Sequence, residues 1–295
     1  MLIFFGGFMR KFLLILVVFS LFAGFAMAQS DGAGLTLGVE FGIGGVNKPN
    51  NASEMYPYVT PMVIFENSFL DGAFDLYAEL DYTFEFIKME NTFPMDLYFD
   101  LSLGYNLGLS RNSTLSFILE NENGFLLAPN YGAEFLDRLW GVGRPGIKFT
   151  QGIASAGSVY ALVDAPIQYL GADSGMPIGL DGSVGWDSSF GLGLKGKAHM
   201  LLIPGSDSGY QGVDVTAYFE NGPLYVGAEV RIPNEKNGFS SYFDRDDNKI
   251  GIAVTPEVQF TFDFGLGIYA NCALGNLTGA GDMYISPAVG VTFSF

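Results

Sequence analysis

Between positions 95 and 109 the chain alternates without a break. Met95, Leu97, Phe99, Leu101, Leu103, Tyr105, Leu107 and Leu109 alternate with Asp96, Tyr98, Asp100, Ser102, Gly104, Asn106 and Gly108. Side chains of a strand point to opposite faces in turn, so one face here is apolar and the other polar. The preceding segment repeats the pattern: Phe74, Leu76, Ala78, Leu80, Tyr82, Phe84 and Phe86 oppose Asp75, Tyr77, Glu79, Asp81, Thr83 and Glu85. Strands of water-soluble sheets usually run to about 5–6 residues, and these are at least twice as long. Lipid on one face and water on the other accounts for both length and alternation.

The alternation recurs to the end of the 295 residues. The expected fold class is all-β, a transmembrane antiparallel up-and-down β-barrel of about fourteen strands, with twelve to sixteen open. The expected strands cover 34–46, 57–66, 72–86, 95–109, 113–124, 144–151, 157–167, 178–187, 189–203, 211–220, 223–232, 249–263, 265–275 and 283–295. Connections after even strands are short, around Asn67–Asp71, Ser110–Asn112, Gly152–Ala156, Ser188, Asn221–Gly222 and Phe264. Those after odd strands are longer, notably 125–143, 168–177 and 233–248. Short turns on one rim and long loops on the other is the arrangement of outer-membrane barrels, and an even count puts both termini on the short-turn, periplasmic side. The 40 glycines suit strands and close backbone approach rather than helices.

Although 49% of the chain is hydrophobic, only one continuous apolar run exists. It follows Arg10-Lys11, extends from Phe12 to Phe25 and ends before Ala26-Met27-Ala28. That is the layout of a cleavable signal peptide over 1–28, with Met9 as a candidate true start, and residues 29–295 are expected to form a single barrel domain. A spanning helix needs ~20 apolar residues, more than this run supplies. The formal charge of −17 argues against nucleic acid and anionic surfaces as partners. The single Cys272 has no partner for an internal disulfide and falls on the lipid-facing parity.

The last strand reads Met283-Tyr-Ile-Ser-Pro-Ala-Val-Gly-Val-Thr-Phe-Ser-Phe295, with apolar residues at every second place and a terminal Phe. This resembles the C-terminal signature of bacterial outer-membrane β-barrel proteins. The resemblance implies that Val291, Phe293 and Phe295 are read by the barrel-assembly machinery. The style also resembles spirochaete outer-membrane proteins, without a diagnostic motif. In outline the chain is closer to monomeric fourteen-strand porins than to the fatty-acid-transporter barrels, because the first strand begins too soon after the leader for an N-terminal hatch.

Parity assigns the inward charges. Glu40, Asp75, Glu79, Asp81, Glu85, Asp96, Asp100, Glu120 and Glu122 should line the lumen from strands 1 to 5, with no inward Lys or Arg there. Arg144, Lys148, Lys195, Lys197, His199 and Arg231 should line it from strands 6, 9 and 11. The wall is expected to be acidic on one side and partly basic on the other, with an acidic excess that favours cations. Glu134–Trp140 has the apolar spacing of a short helix at the rim or in the mouth, and Tyr56, Tyr58, Phe86, Phe93 and Tyr242 suit an interfacial girdle.

Other chemistry is poorly supported. Asp244, Asp246 and Asn248 begin like a calcium loop, but Lys249 and Thr255 replace the required Gly and Glu. One histidine and one cysteine give no metal spacing, no catalytic constellation stands beside His199, and no nucleotide-binding glycine motif precedes a helix. No cofactor, metal or enzymatic activity is expected. The expected partners are outer-membrane lipid, the assembly machinery and small solutes or ions. The leading reading is a cation-preferring channel for small hydrophilic solutes. A surface antigen acting through its long loops is the alternative, and a hydrophobic-compound transporter is a third reading opposed by the polar inward faces.

Overall fold

The computed structural model describes residues 34–44, 56–85, 95–126, 139–170, 176–203, 209–233, 251–275, 277–278 and 283–295. The strands are β1 (Gly34–Gly44), β2 (Tyr56–Phe69), β3 (Phe74–Glu85), β4 (Met95–Ser110), β5 (Ser113–Leu126), β6 (Leu139–Gly152), β7 (Ser158–Asp164), β8 (Ile167–Leu170), β9 (Ile178–Asp187), β10 (Leu192–Ile203), β11 (Gly209–Asn221), β12 (Leu224–Pro233), β13 (Ala253–Thr261), β14 (Leu266–Gly275) and β15 (Tyr284–Ser294). Each pairs antiparallel with its neighbour, and β15 pairs with β1 to close the sheet. The fifteen segments make fourteen staves, because β7 and β8 lie end to end between β6 and β9. Closure removes the free edge, so the backbone polar groups pair within the wall, as a structure in lipid requires.

Register fixes the two faces. Phe41, Leu107, Phe117, Ile147, Val184, Leu194, Val226 and Val289 are exposed on one face around the whole barrel, which is the surface lipid would cover. The alternate residues face the interior. Cys272 holds an outward position on β14, opposite Pro287.

The short turns lie on the rim that carries the start of β1 and the end of β15, where Phe295 N–H donates to Leu35 O at 2.9 Å. Between β2 and β3, Asp71 and Gly72 adopt φ of 57° and 83°, and Ala73 N–H donates to Leu70 O. Asp-Gly with both φ positive is the turn whose twist matches a hairpin.

Several strand bounds change: β2 runs to Phe69 rather than 66, and β13 covers only Ala253–Thr261 of the expected 249–263. β6 begins at Leu139 rather than 144, so Leu139 and Trp140 are strand and not the end of a short helix. The outward residues Gly141, Gly143 and Pro145 hide this strand from an apolar-parity reading. The expected strand 157–167 is interrupted at Ala165–Pro166, because proline cannot donate to a ladder. The wall stays sealed there: Ala165 N–H donates to Pro145 O at 2.9 Å and Gly179 N–H to Pro166 O at 2.8 Å. Residues 188–191 form a turn, so β10 starts at Leu192 rather than 189. The signal segment 1–28, residues 134–138, Phe86, Phe93, Tyr242 and the acidic stretch 244–249 lie outside the described residues.

Candidate permeation lumen

The interior face is built first from tyrosine and glycine. Tyr58, Tyr160, Tyr218 and Tyr269 stand directly opposite Gly42, Gly185, Gly193 and Gly290 on the neighbouring strands. A Cβ added to any of these glycines would fall on the facing ring. Each ring therefore lies along the wall, over a gap only glycine leaves, instead of projecting across the lumen.

The acidic arc runs over β1 to β5. Glu40 accepts a hydrogen bond at each carboxylate oxygen, from Tyr58 Oη at 2.9 Å and Tyr269 Oη at 2.9 Å. Glu79 accepts from the Tyr77 hydroxyl. Glu79 is in direct register with Asp100, and Asp100 with Glu122, so three carboxylates stand in one row across three strands. Asp81 is next to this row on β3, opposite Tyr98, and its Oδ1 is buried without a hydrogen-bond partner among the described residues. Asp96 is opposite Thr83, Glu120 is opposite Arg144, and Glu85 holds the register position opposite Tyr58. Asp75 stands apart near the short-turn rim, where Ser68 Oγ (2.8 Å) and Asn106 Nδ2 (2.6 Å) donate to it.

The basic arc is not a bare positive strip, which corrects the expected division into an acidic and a basic side. Arg144 Nε lies 3.1 Å from Glu122, and its Nη1 lies 3.3 Å from Asp181 and 4.0 Å from Asp164. Lys197 Nζ lies 3.1 Å from Asp181. His199 Nδ1 is 3.1 Å from Asp181 and its Nε2 is 2.9 Å from Asp214. Arg231 Nε is 3.4 Å from Asp214, and its Nη2 is 3.3 Å from Glu229. The result is a continuous ion-pair lattice from β5 to β12. Its centre is packed: the side chains of Asp181 and Arg144 are only 3% and 13% exposed. Val142, Pro166 and Leu201 are buried nearby on the same arc. Sequence reasoning missed Asp164, Asp181, Asp214 and Glu229. Parity could have found them, since each shares its face with Tyr160, Ser183, Tyr218 or Tyr225.

Lys148 and Lys195 differ from the other cations. Lys148 Nζ lies 4.6 Å from the centre of the Tyr160 ring, and Lys195 Nζ lies 4.8 Å from that of Tyr218. On the lipid side of the last strand, Phe293 and Phe295 meet edge to face at 4.8 Å, and Val291 is exposed beside them. Among the described residues no group of side chains could hold a metal ion.

Comparison with known proteins agrees on the architecture. The chain is similar to a deletion mutant of TodX, a monoaromatic hydrocarbon channel, at 9% identity over 90% of each chain, with a TM-score of 0.53. The shared fold is a closed antiparallel β-barrel. Weaker likenesses are to a Rh. blastica porin mutant (11% identity, 89% of this chain and 100% of that one, TM-score 0.47) and to the KdgM porin (10% identity, 88% and 99%, TM-score 0.41). No family model matches the chain, and no curated protein matches it. None of these likenesses supports a spirochaete type.

Proposed function

We infer that the protein is an outer-membrane channel for small hydrophilic solutes, that it prefers cations, and that its short-turn rim and both chain ends are periplasmic. The observation that carries the preference is the row Glu79–Asp100–Glu122. Like charges directly opposite across strands are unfavourable, and the ion pair with Arg144 is made at the Glu122 end of the row. Water and mobile cations in the lumen would offset the remainder. The lattice on the other arc adds little net field, because its cations already face carboxylates. Fourteen staves make a barrel wider than the side-chain-filled eight-stranded kind and narrower than the 16–18-stranded porins. The charged interior disfavours an apolar path.

The test is planar-bilayer recording of refolded residues 29–295 under a KCl gradient. Stepwise currents with a cation-selective reversal potential are expected, and the potential should move toward zero in the Glu79→Gln/Asp100→Asn double variant. A folded barrel with no conductance overturns the channel reading. An unchanged reversal potential in the double variant overturns the role given to the row.

A further inference from the structure

The short-turn end of the lumen carries a chain of cations and rings that the acidic row does not explain. Lys148 on β6 and Lys195 on β10 are lumen-side cations with no carboxylate within 4.0 Å among the described residues. Arg144, Lys197, His199 and Arg231 each have such a partner. Both lysines lie near the rim, four residues from the end of β6 and three from the start of β10.

Tyr160 stands between the two lysines. Tyr160 on β7 is opposite Gly185 on β9, and Gly185 is opposite Lys195 on β10. The Tyr160 ring lies over the space that Gly185 leaves. Lys148 covers Tyr160, Lys195 covers Tyr218, and Tyr218 stacks on Tyr225 with centroids 5.7 Å apart and planes 24° apart. Ammonium, ring, ammonium, ring, ring follow one another along the wall. Two acids border this chain: Asp187, at the end of β9, accepts the Tyr218 hydroxyl, and Glu220 stands directly opposite Tyr225.

We propose that Lys148, Lys195, Tyr218 and Tyr225 form a subsite for organic carboxylates with a ring-shaped body. An ammonium has three donors and no acceptor, so each ammonium lacking a carboxylate partner fits an oxyanion. Tyrosine faces beside them fit a flat ring, which water or chloride does not supply. The subsite rests on the reading of this face as a water-filled lumen, but it needs neither cation preference nor conduction.

Its test is therefore equilibrium binding to the folded barrel in detergent, by titration calorimetry with benzoate. Acetate reports the charge alone and benzamide the ring alone. Benzoate should bind roughly tenfold more tightly than either, since a charge-assisted hydrogen bond and a stacked ring act together. Lys148→Gln/Lys195→Gln should bring benzoate down to the benzamide level, and Tyr225→Leu should bring it toward acetate. Heat-modifiable gel mobility confirms folding of each variant. If the double variant does not fold, Lys195→Gln alone, at an exposed side chain, reads the same loss. Equal affinities for benzoate and acetate overturn the subsite, as does a folded double variant that binds benzoate like the parent. A barrel that binds benzoate but conducts no current overturns the channel reading and leaves the subsite standing.

Discussion

Arg144 Nη1 lies 3.3 Å from Asp181 Oδ2, although β7 separates the staves that carry them. The guanidinium reaches across a stave to tie β6 to β9, and Lys197 and His199 continue the tie to β10. A buried pair is weak evidence for stability, but removing one member leaves an uncompensated charge.

Arg144→Met should therefore destabilise the barrel by about 3 kcal/mol. The value sits at the low end for such losses because Asp181 keeps two other cationic contacts. Urea unfolding followed by heat-modifiable mobility measures it. An unchanged midpoint would mean that water already screens the lattice.

Relieving the acidic row should act in the opposite direction. Glu79 and Asp100 face each other, and Asp100 faces Glu122. Cross-strand pairs are worth about 0.2–1 kcal/mol each, so Asp100→Asn should stabilise the barrel by up to about 1 kcal/mol while weakening cation preference. The same urea assay and the reversal potential report the two effects separately. Acidic medium should mimic the substitution, because protonated carboxylates neither repel one another nor attract cations.

How much of this was legible depended on what each strand puts outside. β3 and β4 carry an uninterrupted apolar series outward, mostly Leu, Phe and Tyr, so their extent and inward acids can be read from parity. The first half of β6 carries glycine and proline outward, where Tyr169 packs over Gly141, so apolar parity reads it as loop. Asp164, Asp181 and Asp214 have the inward parity, but each is a lone acid among glycines, small residues and aliphatics. Their pairing with Arg144, Lys197 and His199 arises from register and side-chain reach across staves, which no single strand encodes.

The tyrosine–glycine contacts predict a linked loss of stability and current. Gly290→Ala would place a methyl against the Tyr269 ring, which also holds Glu40 through its hydroxyl. Overpacking of this kind costs about 1–3 kcal/mol. The ring must lift from the wall, so single-channel conductance should fall with stability. Tyr269→Leu/Gly290→Ala should restore conductance, because the ring is gone. A lowered conductance that persists in the double variant would place the obstruction elsewhere.

Substituting Phe295 tests folding and assembly separately. Phe295 contributes a backbone N–H to Leu35 O and a ring against Phe293. Phe295→Ala keeps the first and loses the second. If the terminal ring is read by assembly machinery, the variant should refold in detergent with a near-parental yield. In cells it should accumulate several-fold less heat-modifiable barrel. Deleting Phe295 removes the hydrogen bond at the β1–β15 closure as well, and should slow refolding in detergent too. Equal cellular yields of Phe295→Ala and parent would show that the ring is only part of the lipid-facing belt.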